Sequence, residues 1–226
     1  MSQPNAQHVE EQAALSLLRD VTALLATAVQ SLDGSVISGK PQYVAWCARA
    51  TWIQADAFLC LRDAGKKEAS KQLIRLPLEL CFKLMAVLKK PGMLFRVCYT
   101  EFQREKKLYD PPLDAAAEVK MVADMESTFK NAFPAEPRDR KQIRINELAE
   151  VGNLKDRYQG DYAIYCNHNH GALRAMMGQP DGATDRHDAR ILASCVLTML
   201  DQLKTHTPAN VPDIQPLVER CAKLPR

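Results

Sequence analysis

Residues Leu73 to Leu88 read LIRLPLELCFKLMAVL, and their only charges are Arg75, Glu79 and Lys83. With about 100° between successive helical residues, Leu73, Leu76, Leu80, Leu84 and Val87 form one stripe. Ile74, Leu78, Cys81, Met85 and Leu88 cover the opposite side. A helix that is apolar on nearly every face belongs inside a bundle, with neighbours all round. It is too short and too charged for a membrane span. Arg75 and Glu79 stand four apart on one narrow sector, where a salt bridge can form. Charges at the heart of such a helix demand polar partners, because an unpaired buried charge is very costly. Pro77 falls between them. Having no N–H to donate, it either bends the helix near Ile74 or breaks it into two.

The rest of the chain follows the same period. Leu17, Val21, Leu24, Leu25, Ala28 and Leu32 describe a first helix over about 9–32, after a polar, loose start at 1–8. Pro41 suits the first turn of a second helix, running to about Asp63 and closed by Gly65. A third begins near Lys67 and holds the central stretch until Pro91-Gly92, and a fourth covers Met93 to Leu108. Asp114 is placed to cap a fifth, Ala115 to Phe133, with Val119, Val122, Met125 and Phe129 as its inner face. A sixth helical region opens at Ile145, interrupted at Gly152 and Gly160; a seventh helix follows Thr184 as N-cap. The tail, 208–226, carries a short helix. No β-alternation of useful length occurs. The expectation is an all-α chain: one domain spanning 1–226, a bundle of about seven helices with mostly antiparallel neighbours.

Composition narrows the partners. A formal net charge of +3 is too slight to argue for nucleic acid on its own. The seven cysteines show no C-x-x-C spacing, and several sit in apolar helical patterns, where a thiol acts as a small hydrophobe. Reduced, structural cysteines and no disulfide-linked partner are expected. The first residues lack the basic start and apolar segment of a secretory signal, so a cytoplasmic protein with no membrane association is expected.

A second polar cluster, YQGDYAIYCNHNHGALR, runs from Tyr158 to Arg174. If helical, it sets Tyr158, Tyr162 and Tyr165 on one face with Leu154, a stripe that serves either packing or binding. Buried phenols need partners, which draws polar groups toward them. His168, Asn169 and His170 form the chemically richest spot. Two histidines two apart can chelate a metal only in an extended segment; on a helix they diverge, and no second short-spaced ligand pair exists. Neither a metal nor a cofactor is therefore expected. A histidine here is either satisfied internally or positioned for proton transfer, which its near-neutral pKa suits. His170 and Arg174, four apart, can face one anion if a helix runs through them. His187, beside Arg186, reads as a solvated residue. Gly-rich phosphate loops and the serine-hydrolase and zinc-protease signatures are absent.

Taken together, IRLPLELCFKLMAVLKKP and YQGDYAIYCNHNHG resemble the domain-of-unknown-function family 5677, a family of all-helical proteins. Its members show an Arg and an acidic residue four on within an apolar helix, then Tyr-x-x-Tyr followed by a His-Gly pair. The resemblance spans about 40–205 and carries those positions onto Arg75, Glu79, Tyr162, Tyr165, His170 and Gly171, with His168 beside them. It implies no particular reaction. A more distant similarity is to helical nucleotide-binding and ribonuclease domains of the HEPN type, whose nucleases hold Arg and a following His close together on one helix. Here Arg157 precedes His168 by eleven positions, and His170 precedes Arg174 in reversed order, a departure from that catalytic pattern.

Two specific readings follow, beside a third in which the chain is some other small-molecule enzyme or a metal protein. In one, the chain is a binding or scaffold protein whose Arg75, Glu79, Tyr162, Tyr165 and His170 form one network between helices. Tyr162, Tyr165, His168, Asn169 and Arg174 would then meet a small anionic ligand or nucleotide. In the other it is an RNA- or nucleotide-directed hydrolase, with His170 as acid or base, Arg75 stabilising phosphate charge and Glu79 beside it. A homodimer is expected from the frequency of such assemblies.

Overall fold

The computed structural model describes residues 6–108, 114–169 and 182–225, with the side chains of 7, 167–169 and 182–185 left aside. The fold is all-α, and no strand occurs among the described residues. Helix α1 (Ala6–Gln30) starts earlier than expected and lies against α2 (Lys40–Asp63) and the later α10 (Gly182–His206). By length and composition alone α1 could cross a membrane, yet half of its apolar window is buried, and Leu17, Leu18, Val21, Leu25 and Ala28 are core residues. Surface ion pairs mark α1 and α2 as antiparallel: Arg19 of α1 meets Asp63 at the end of α2, and Asp33, just past α1, meets the earlier Arg49.

The central stretch breaks rather than bends. A short α3 (Lys67–Lys71) gives way to a turn, and α4 (Arg75–Lys89) starts afresh with Pro77 in its first turn. A proline is tolerated there because first-turn N–H groups have no helical partner anyway. The break sets Arg75 at the head of α4 and Glu79 one turn further in. As the apolar pattern requires, α4 packs against α2, α5 (Met93–Glu105), α7 (Ile145–Val151) and α10, burying Leu78, Cys81, Phe82, Leu84 and Val87.

Asp114 caps α6 (Ala115–Ala132), its carboxylate accepting from the Ala117 N–H at 2.7 Å. Only Phe129 of this helix is buried, and Val119, expected inside, is 70% exposed. Phe129 and Phe133 pack with Phe95, so α6 is held chiefly by its C-terminal end. After α7, Gly152 lets the chain close on α4: a Cβ there would sit 3.2 Å from that of Met85. Then come α8 (Lys155–Arg157), a π-helical turn (Tyr158–Tyr162) and α9 (Ala163–Asn169). Helix α10 begins at Gly182, two residues before the expected cap at Thr184, and α11 (Gln215–Ala222) is the expected short tail helix. All seven cysteines are free thiols. Burial pushes Cys47 up to about 12 and Cys98 up to about 11, so neither is reactive near neutrality.

Candidate functional site

The segment from α8 through α9 lies between α4 and α10, and its polar side chains divide between them. Toward α4, the Arg75 Nε donates to Glu79 Oε1 at 2.8 Å, and the Tyr162 hydroxyl donates to the same oxygen at 2.6 Å. The guanidinium carbon stands 5.8 Å from the centre of the Tyr162 ring, a cation–π contact. The ring is walled in by Phe82 and Tyr158, at 5.7 and 5.2 Å between centroids. Burial, with the hydroxyl's bonds to Cys166 and Glu79, raises the Tyr162 phenol above its ordinary range and keeps it a donor. The Glu79 bond raises the Arg75 pKa against a desolvation that works the other way. The Arg75 side chain remains 31% exposed. Among the described residues only its Nε is hydrogen-bonded.

Toward α10 the arrangement is more enclosed. The Tyr165 hydroxyl donates to Asp188 Oδ1 at 2.6 Å, and both residues are 1% exposed. Burial, then the Asp188 charge, holds the phenol well above its usual range. Arg157 lies 3.5 Å from Asp161 and donates to the Cys195 sulfur at 3.6 Å. Asp161 in turn lies 3.6 Å from His187 Nε2. The Cys81 thiol, followed by Arg157, holds Cys195 below the ordinary thiol value in spite of its burial. Burial pushes His187 down; Asp161 opposes this, while Arg190 and Arg186 add to it.

Arg75, Glu79 and Tyr162 therefore meet as expected, and Tyr165 does not join them. The two tyrosines lie about 60° apart on a helix, enough for long side chains wedged between two neighbours to reach different ones. Among the described residues, the hydrogen bonds of the anticipated network fall into two sets, one on each side of the segment. His187, read as solvated, is drawn into the α10 set. The signal that could have found it is the i,i+4 pair Arg157 and Asp161, one turn of acid and base facing a His-Asp step at 187–188.

His168 and Asn169 fall within α9. The extended backbone that a metal chelate through His168 requires is absent at that position. His170, Gly171 and Arg174 lie outside the described residues. Among the described residues no three His, Cys, Asp or Glu side chains converge as metal ligands. Among the described residues a small cavity lies elsewhere, lined by Lys83, Thr100, Glu101, Arg104 and Leu148. It has room for about one water. Arg75 does not line that cavity; it stands part-exposed at the head of α4.

No family model, no curated protein and no solved structure matches this chain.

Proposed function

We propose that this protein is a helical binding protein that takes a small anionic ligand, of the phosphate or nucleotide kind, on the rim formed by Arg75. The observation that carries this reading is the division of labour around one guanidinium. Glu79 holds its Nε, the Tyr162 ring supports its face, and the side chain keeps 31% of its surface exposed. Such fixing suits bidentate recognition of phosphate or carboxylate, because an arginine locked in one orientation loses little further freedom on binding. Tyr158, partly exposed and stacked on Tyr162, extends an aromatic surface beside the charge.

Calorimetric titration with inorganic phosphate, AMP and a short RNA oligonucleotide tests the reading. At least one should bind, and Arg75→Gln should weaken it by tenfold or more while leaving the helical signal and melting temperature nearly unchanged. Binding that is absent, or indifferent to Arg75→Gln, contradicts it. Cleavage of the oligonucleotide by the native chain, lost in a folded His170→Ala variant, would replace it with the hydrolase reading.

A further inference from the structure

We infer that this chain associates with a second copy of itself through the outer face of α2, with the two α2 helices antiparallel across a twofold axis at Ile53. The sequence of α2 buries Tyr43, Val44, Cys47, Ala48, Thr51, Ala55, Phe58, Leu59 and Arg62 against its own bundle. The opposite face recurs at spacings of three and four: Trp46, Arg49, Ile53, Ala57 and Cys60. That is the period of a helix–helix seam. Trp46 is 52% and Ile53 53% exposed, and Cys60 is exposed with them. Phe133 meets one side of Trp46 and Asp33 bonds Arg49, leaving both residues about half exposed. A large aromatic and a β-branched residue on one solvent-facing line is the pattern of a contact surface, not of a solvated helix face.

Size and charge along the strip select both the occupant and its orientation. Measured from Ile53, the bulky Trp46 lies seven residues before, whereas the small Ala57 and Cys60 lie four and seven after. Arg49 lies four before and Asp56 three after. A parallel pair would set Trp46 on Trp46, Arg49 on Arg49 and Asp56 on Asp56. An antiparallel pair about Ile53 seats each Trp46 over the small residues of the other copy and brings each Arg49 beside the opposite Asp56. Large meets small and basic meets acidic twice over, as an isologous interface requires. Asp56 is exposed and has no ion-pair partner among the described residues. Arg49 is half-exposed while bonded through one terminal nitrogen to Asp33, so its fork keeps donors for a second carboxylate. Phe133 braces Trp46 edge-on, with centroids 6.4 Å apart and rings at 83°, so the ring projects from a fixed base. The strip from Trp46 to Cys60 extends about 21 Å along the 24-residue helix.

Sedimentation equilibrium across a concentration series provides the first test. The native chain should dimerise, and Ile53→Asp, which brings two carboxylates together at the axis, should raise the dissociation constant by tenfold or more. Circular dichroism and melting temperature should hardly change, because Ile53 touches solvent in the monomer. Asp56→Arg should weaken the dimer, and Arg49→Asp combined with Asp56→Arg should restore it. Mild oxidation supplies the geometry. Ile53→Cys should cross-link to a covalent dimer, whereas native Cys60 should not, since its two copies stand fourteen residues, about 21 Å, apart along the axis. A native chain that stays monomeric at all concentrations, a dimer indifferent to Ile53→Asp, or cross-linking through Cys60 would each overturn the inference.

Discussion

The two flanks of the 155–169 segment use the same chemistry to opposite ends. On the α4 side a tyrosine hydroxyl meets a glutamate that also holds a part-exposed arginine. On the α10 side a tyrosine hydroxyl meets an aspartate, with both residues 1% exposed. The difference lies in access to water. A carboxylate that keeps an arginine and some solvent can lose one donor cheaply, whereas one sealed among helices depends on every donor that it has. The first arrangement leaves a charge available for a ligand. The second fixes how α9 docks on α10.

That contrast predicts a graded series of stability losses. Tyr165→Ala should be the most severe, about 3–5 kcal/mol in urea unfolding, because it empties a fully buried aromatic position. Asp188→Asn keeps the shape but replaces a carboxyl acceptor with an amide, and should lower stability by about 1–3 kcal/mol. Arg75→Gln should lose less than about 1 kcal/mol, as a part-exposed i,i+4 ion pair contributes little. A loss at Arg75 as large as that at Asp188 would show the α4 side to be structural too.

The smallest effect concerns pH. Burial holds the folded His187 below its ordinary value, so the unfolded chain binds the proton more readily. Stability from this group is then complete above about pH 6.5 and falls as pH drops below it, levelling off once the folded histidine also protonates. Melting temperatures from about pH 7.5 to about 5.5 should decline in the native chain and flatten in His187→Gln. An unchanged slope in the variant would remove His187 from the α10 set.

Much of the fold was legible because it rests on period and punctuation. Pro41 and Gly65 bracket α2, Asp114 caps α6, and the all-round apolar face of Leu73–Leu88 placed α4 inside the bundle. The break before Arg75 was one of two outcomes that Pro77 allowed. The outward turn of Val119 could not be read, because α6 touches the bundle mainly at Phe129 and Phe133; periodicity shows which residues share a face, but not whether a neighbour covers it. At the site, the Arg75–Glu79 spacing gave the pair and the apolar helix gave its need for a partner, which proved to be Tyr162. The separation of Tyr165 was hidden for a different reason. It depends on which helix lies on each side of the segment, and the π-helical turn at Tyr158–Tyr162 carries no signature beyond a glycine at 160.

The most direct trial compares Tyr162→Phe with Tyr165→Phe by urea denaturation, since each variant deletes one hydroxyl and nothing else. Tyr165→Phe should lose about 1.5–3 kcal/mol and Tyr162→Phe about 0.5–1.5 kcal/mol, with both slopes unchanged. Equal losses, or a larger one at Tyr162, would contradict the distinction between an open arginine rim and a sealed tyrosine–aspartate lock.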